Sequence, residues 1–351
     1  MNRQRDYVQP MTTSPAITVL LPILNAEDTL PAAAGSILEQ TATDFELLAI
    51  NDGSTDGTGE LLAGLARGDS RVRVLTHERC QGIVAALNDG LAVAQGRYIA
   101  RMDADDISAP ERLAFQLAAL DGAPDLGMVG TRVTFGGDRE THAGYALYVD
   151  WTNSLLAPEA ISLNRFVESP FAHPSVMFRR GLVDQFGGYR DGEFPEDYEL
   201  WLRWLDAGVR MAKLPETLLT WSDPPSRLSR VDQRYSFEAF YRCKAEYLAK
   251  WLARHNPHHP DLVVWGGGRA TRKRAEHLCR HGVRICAYVD VDPRRIGQVI
   301  HGRPVLDEGA IPSADACFVA SFVGSRGARD DIRGRLLSRG FSEGLNFIMA
   351  A

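Results

Sequence analysis

The chain has no basic excess: 45 Asp and Glu outnumber 39 Lys and Arg, for a formal charge of −6 over 351 residues. Nucleic-acid binders concentrate Lys and Arg in a patch or stripe, so no nucleic-acid partner is expected. Long hydrophobic runs are also missing, and nothing approaches the roughly 18 apolar residues of a membrane helix. The early run "ITVLLPIL" follows Arg3 and Arg5 loosely as a secretory leader would, but Pro22 interrupts it and Asn25, Glu27 and Asp28 follow at once. It reads as a first strand behind a loose tail over 1–15. A cytoplasmic protein is expected, free or peripheral at the inner membrane face. Cysteine is scarce. Cys80, Cys243, Cys279, Cys286 and Cys317 are scattered and never spaced C-x-x-C, which argues against a disulfide framework or zinc site and for buried reduced thiols.

What is present is alternation. "ITVLL", "FELLAI", "VRVLT" and "RYIARM" read as strands. Between and after them come helices at 27–40 and in "DGTGELLAGLA", "GIVAALNDGLAVA" and "PERLAFQLAAL", the last with Pro110 in its first turn. Repeated strand–helix units with continuously apolar strands imply an α/β fold, a mostly parallel sheet with helices on both faces. From 126 to 225 the alternation breaks up. "FAHPSVMFRRGLVDQFGGY" reads as a strand and a short helix, and "FPEDYELWLRWLDAG" as an amphipathic helix with Tyr198, Trp201, Leu202 and Leu205 inward and Gly208 at its end. Another helix follows over 230–255, then "RHNPHHPD", read as an exposed linker. At this length two domains are expected, since single cores stop growing at roughly 250–300 residues. The expected division is a first α/β domain over 16–228, a helical connector and linker over 229–259, and a smaller α/β domain over 260–351.

In parallel sheets ligands sit beyond the carboxyl ends of the strands. Three polar stretches fall there: "PILNAED", "NDGSTD" and "DADD". A capped turn would account for one of them, with Asp56 as the cap; three converging on one edge point to a ligand. Asp103, Asp105 and Asp106 stand within four positions, and like charges so close call for something positive between them. A hard divalent cation, Mg²⁺ or Mn²⁺, suits oxygen donors and shares its shell with substrate phosphates.

These residues carry a resemblance. "ITVLLPILNAEDTL", "FELLAINDGSTDGT", "GIVAALNDGLAVAQGRYIARMDADD", "HPSVMFRR" and "EDYELWLRW" stand in the order and spacing of family 2 glycosyltransferases, inverting enzymes of the GT-A fold. The similarity runs from 17 to about 225. It implies a nucleotide-sugar donor, UDP-linked, and a saccharide or lipid-linked acceptor in cell-surface polysaccharide synthesis. By the same resemblance Pro22, Asn25 and Glu27 lie against base and ribose, and Asp52 accepts from the pyrimidine ring. Asp103 and Asp105 match the DxD motif that bridges ribose and the metal on the diphosphate, with Asp106 beside them. Asp197 matches the catalytic base and Glu196 its partner.

Two positions depart from the family pattern. Asn51 stands where many relatives have an acid. Relatives also place a metal-contacting histidine after the "LPETLL" stretch; here "TWSDPPSRLSR" has none, leaving Asp223 or a water for that role. His173 is read as structural or acceptor-side. Because the motifs end before 225, a chain cut at about 258 is expected to keep measurable donor hydrolysis if it stays soluble.

Farther on, "VVWGGGRATRKR" has Gly266 and Gly268 at G-x-G spacing after a strand, with Thr271 in place of a third glycine and Asp290 closing the next strand. The stretch resembles the small nucleotide-binding-like domain that precedes some sugar acyltransferases. A nucleotide site and a docking or dimerising module both fit it; the chemistry of an NAD enzyme is not visible. Two other functions compete with sugar transfer. A sugar-phosphate nucleotidyltransferase would want a basic glycine-rich loop after strand one, where "PILNAED" is acidic. A sugar-nucleotide sensor or scaffold would need a degenerate transferase domain, whereas "DADD" and "ED" are intact.

Overall fold

The computed structural model describes residues 14–225, 227–325 and 327–351; the tail read over 1–15 lies almost wholly outside them. The chain divides into two compact units that do not follow chain order. The first takes residues up to Pro158, Phe171–Asp191 and Val209–Pro225; the second takes Glu159–Pro170, Gly192–Gly208 and Ser226–Ala351.

The first unit is built on eight strands: β1 (Ile17–Ile23), β2 (Phe45–Asn51), β3 (Val72–Thr76), β4 (Tyr98–Arg101), β5 (Ile107–Ser108), β6 (Leu126–Phe135), β7 (Met177–Arg179) and β8 (Arg210–Trp221). Their order is β3-β2-β1-β4-β7-β6-β8-β5, with β1 to β4 mutually parallel and β7 and β5 antiparallel to their neighbours. Every residue of β1 and β2 is buried, as strands covered on both faces require. Pro22 is tolerated in the middle of this sheet because β1 pairs with β4 only through Leu20, so its missing N–H breaks no ladder bond on that side.

Helices Leu30–Leu38, Thr58–Gly68, Ile83–Val93 and Arg112–Gly122 fall where the periodicity places them. Pro110 is a correction: the last of these helices begins two residues beyond it, and Pro110 instead accepts the Thr41 N–H. The thiols are a second correction, since Cys80 and Cys286 are exposed; all five cysteines are free.

The second unit holds a six-stranded sheet: β9 (Asp261–Trp265), β10 (Arg284–Val289), β11 (Val299–Ile300), β12 (Arg303–Leu306), β13 (Val319–Ser321) and β14 (Phe347–Met349). Its order is β11-β12-β10-β9-β13-β14, parallel throughout except for β11. The chain therefore builds outward from β9 through β10 to β12, then returns to the other side of β9. That reversal makes the carboxyl ends of β9 and β13 a topological switch point.

The helix Glu196–Asp206 belongs to this second core. Tyr198 and Leu202 are buried with Leu248, Leu252, Leu262, Val264 and Phe318. It is not amphipathic in the expected sense: Leu200 and Trp204 are buried too, and Glu199 pairs internally with Arg203 at 3.0 Å and accepts from the Tyr247 hydroxyl at 2.5 Å. Lys244, buried, donates to the carbonyls of Phe166, Val167 and Ala350, tying an early segment to the residue after the last strand. This shared core argues against the independence of a chain cut at 258. Such a truncation removes Leu262, Val264, Phe318 and the other strand residues from this core, and each large apolar side chain so exposed costs about 1.5–3 kcal/mol. It is expected to collect in the insoluble fraction or to unfold without cooperativity. A soluble truncated chain with undiminished donor hydrolysis would overturn this.

Candidate functional site

In the first unit, the loops after β1 and β2 are stitched to each other. Asn25, held at φ +50, accepts the Thr55 N–H on Oδ1 at 2.8 Å, and its own N–H goes to Ser54 Oγ. Glu27 accepts the Gly57 N–H at 2.6 Å, while Asp56 accepts the N–H groups of Glu27 and Thr58. Asp56 thus braces two loops and does not merely cap the helix Thr58–Gly68, whose N-cap is Gly57. Asn51 accepts the Ser54 N–H, work for which an amide serves as well as an acid. Gly53 has φ +74, and a Cβ there would lie 2.4 Å from the Arg79 carbonyl carbon; only glycine fits.

Asp52 is buried beneath this turn. Its Oδ1 meets His77 Nδ1 at 2.6 Å and the Gln81 N–H at 2.9 Å; its Oδ2 accepts the Gly82 N–H at 2.8 Å and the Cys80 thiol at 3.3 Å. Burial pushes its pKa up, but these four bonds outweigh that and hold it below the ordinary carboxylate value. The other ring nitrogen of His77 lies 3.1 Å from Asp89. The sequence pointed to Asp52 but to none of its partners, which come from residues 25 to 30 positions away.

At the end of β4, Asp103, Asp105 and Asp106 bring a carboxylate oxygen each within 4.8 Å of one another. Asp103 pairs with the buried Arg101 at 2.5 Å. Asp106 is fully buried and accepts the Ser222 N–H at 2.8 Å, while Ser222 Oγ donates to the Asp105 carbonyl. Behind them Arg112, also fully buried, donates to Ser108 Oγ and to the carbonyls of Arg101 and Pro174. Burial lowers its pKa to about 10, partly offset by Asp106. Arg101 keeps a raised pKa: burial opposes its charge, but Asp103, Tyr189 and Asp106 outweigh burial. Both arginines escaped sequence reading, because arginine reads as surface unless paired. The all-oxygen donor set, with two half-buried carboxylates in front of one buried one, fits a hard divalent cation.

Asp223 is not in that cluster. It is buried and faces His142 Nδ1, from the segment after β6, at 3.1 Å. His173 is a buried structural partner of Tyr189, at 2.8 Å, its pKa pushed well below the usual histidine value by burial and by Arg101.

In the second unit, Glu196 and Asp197 open their helix, preceded by Pro195. An acid in a first turn is favoured as the anion by the helix dipole. Asp197 Oδ1 accepts the Tyr198 N–H at 2.7 Å. Glu196 is almost fully buried and accepts from the Tyr235 hydroxyl at 2.6 Å. Burial, with Glu196 and Asp197 nearby, raises the Tyr235 pKa far above the usual phenol value, so the hydroxyl remains a donor. Tyr235→Phe should cost about 1–3 kcal/mol, the penalty of stranding a buried acceptor. An unchanged denaturation midpoint would remove this bond from the account.

Also in this unit, Gly266 follows β9 at φ +121, and a Cβ there would strike Thr271 Cγ2 at 2.2 Å. Thr271, where a third glycine was sought, packs over the turn. Gly268 is the N-cap of the helix Arg269–Glu276. Asp290 accepts the Gly267 N–H at 3.0 Å and the Asp292 N–H at 2.9 Å, and pairs with Arg295 at 3.1 Å.

Comparison with known proteins agrees with this architecture. Residues 18–187 match the model for glycosyl transferase family 2, a match that ends before the Glu196 helix. The O-antigen biosynthesis glycosyltransferase WbnJ of Escherichia coli is 31% identical over 241 residues, 67% of this chain and 89% of that one. The UDP-Glc:alpha-D-GlcNAc-diphosphoundecaprenol beta-1,3-glucosyltransferase WfgD of Escherichia coli is 31% identical over 195 residues, 53% of this chain and 68% of that one. Among solved structures, S. aureus TarS 1-349 in complex with UDP-GlcNAc superposes with a TM-score of 0.53 at 17% identity, covering 75% of this chain and 70% of that one, a likeness of fold. The first unit is thus a GT-A fold, a second α/β sheet follows it, and the chain belongs to glycosyl transferase family 2.

Proposed function

We propose that this glycosyltransferase is metal-dependent and inverting, moving a hexose from a UDP-linked donor to a saccharide or lipid-linked acceptor in cell-surface polysaccharide synthesis, at the cytoplasmic side. The observation that carries the reading is the trio of carboxylates at the end of β4, on the edge of a parallel sheet where ligands bind. The names of the relatives WbnJ and WfgD, an O-antigen glycosyltransferase and a UDP-Glc-dependent glucosyltransferase, support the substrate class, and that of WfgD the uridine donor.

Asp103 and Asp105 would hold Mn²⁺ or Mg²⁺, which when bound neutralises charge developing on the departing diphosphate. Asp106 props the turn through Ser222. Pro22, Asn25 and Glu27 shape the nucleoside side, the latter two by bracing the loops. A carboxylate offers about four lone-pair sites, and Asp52 has four donors already. A pyrimidine N–H reaches it by displacing the Cys80 thiol, the weakest of the four. Asp197 takes the proton of the acceptor hydroxyl as it attacks the far face of the anomeric carbon. Glu196, with Tyr235, holds the start of that helix.

The test is nucleotide release from a panel of UDP-, GDP- and dTDP-hexoses, with Mn²⁺, with Mg²⁺ and with chelator. Release from a UDP-hexose that needs the metal, and a product of inverted anomeric configuration, are expected. Binding without release under every condition would favour a sensor or scaffold instead.

A further inference from the structure

We propose that the segment Leu228–Phe237 of the second unit, flanked by the helix Arg269–Glu276, is a docking surface for an anionic lipid bilayer. The proposal rests on the transferase reading and deepens it, taking the lipid-linked acceptor over the free saccharide.

Phe237 is 78% exposed, more than any other large apolar side chain among the described residues. Val231 is 63% exposed and Leu228 42%. Leu228 and Val231 stand three apart on one helical turn and so share a side. That turn packs on the turn Gln233–Tyr235, which packs on the helix Phe237–His255. The backbone beneath the tips is pinned. Asp232 accepts the Arg234 N–H, Ser236 caps the helix that Phe237 opens, and Tyr235 reaches back to buried Glu196. The exposure of Phe237 is built into the fold and is not that of a frayed end.

Charge selects the occupant. Within the segment Arg230 and Arg234 stand against Asp232; in the flanking helix Arg269, Arg272, Lys273 and Arg274 stand against Glu276. Arg269 and Lys273 are exposed and four apart, so they share a side of that helix. Lys273 Nζ meets Glu238, the residue after Phe237, at 3.1 Å, which sets this basic side beside the Phe237 tip. A chain of net charge −6 thus gathers a positive excess around its most exposed apolar side chain. The pull of an anionic bilayer acts on net charge within a Debye length, so ion pairs inside the patch, such as Arg234 with Asp232, leave it standing. A protein partner fits less well, because the centre of a protein interface is depleted in charge. Apolar tips among arginine and lysine suit a bilayer surface, with the tips at the acyl boundary and the cations at the headgroups.

Tyr235 connects this surface to the chemistry. Its hydroxyl joins the segment to Glu196, at the start of the helix that carries Asp197. A bilayer held by the segment keeps that acid pair close to the headgroups, where the diphosphate of a lipid-linked acceptor lies.

The experiment is flotation of the full-length protein with vesicles of phosphatidylglycerol and phosphatidylcholine in equal parts, and of phosphatidylcholine alone, with neither donor nor acceptor present. Binding to the anionic vesicles, weakened by added salt, is expected. Phe237→Ser and Val231→Ser should each lower that affinity about tenfold or more, as the loss of a buried apolar side chain does. Arg269→Gln and Lys273→Gln should lower it about fivefold each, the worth of one cation at an anionic surface. All four side chains are exposed, so these changes cost folding little. No binding to anionic vesicles, equal binding to neutral ones, or affinity indifferent to Phe237→Ser overturns the surface. So does a dimer that Phe237→Ser dissociates, which assigns the face to a second copy. The transferase reading stands or falls separately, on nucleotide release from the donor without vesicles. With a lipid-linked acceptor carried in the anionic vesicles, Phe237→Ser should raise the acceptor KM and leave release of nucleotide to water unchanged. An equal loss in both would place Phe237 in the transfer site and overturn its docking role.

Discussion

Asp105→Ala should lower metal-dependent transfer by about 10³-fold, on the scale of losing one preorganised electrostatic stabiliser of the transition state. Its two neighbours have framing contacts of their own. Asp103 is paired with buried Arg101, and Asp106 carries the Ser222 N–H, so removing either disturbs the frame as well as the chemistry. Asp105 contributes its backbone carbonyl to Ser222, and Ala keeps that bond. Donor affinity at the transfer site should fall and cease to respond to chelator. Asp106→Asn gives the contrast: an amide oxygen still accepts from Ser222, so much of the fold survives even where activity falls. Donor affinity that ignores both the chelator and Asp105→Ala would end the metal reading.

The strand ends were legible because they obey local rules. Parallel strands are unbroken apolar runs, and "NDGSTD" and "DADD" interrupt them with groups no buried strand tolerates. β6 and β8 were not legible. Gly127 and Gly130 in the first and Pro215 in the second punctuate like turns. The structure absorbs Pro215 at a break in register, where Thr131 faces Leu214 but Arg132 faces Thr217. Nor could the sequence reveal that Glu199 and Arg203 are buried, since an i,i+4 pair reads as a solvated face. Their burial depends on Tyr247, 48 positions away. The same limit hid Tyr235 behind Glu196, His77 behind Asp52, and His142 opposite Asp223: the acids were readable by position, the groups that orient them only by fold.

Asp197→Asn should reduce transfer by about 10²–10⁴, the usual worth of general-base catalysis. The amide keeps the size of the side chain and an oxygen to accept the Tyr198 N–H. What it loses is the capacity to take a proton, and the negative charge favoured by the first turn of a helix. Donor binding should hardly change, because the role assigned to this acid concerns the acceptor hydroxyl. A purely structural role predicts the opposite pattern: a stability change of about 1 kcal/mol or less, since Asn serves at helix starts nearly as well as Asp, and near-normal turnover. Measuring donor affinity, turnover and denaturation midpoint on this variant separates the two. Normal turnover would move the base elsewhere. Glu196 would be tested next, and it is less suited because it is almost fully buried and one oxygen already accepts from Tyr235. A base must meet the acceptor hydroxyl within hydrogen-bond reach, and a buried carboxylate committed to a phenol meets it only after that bond breaks.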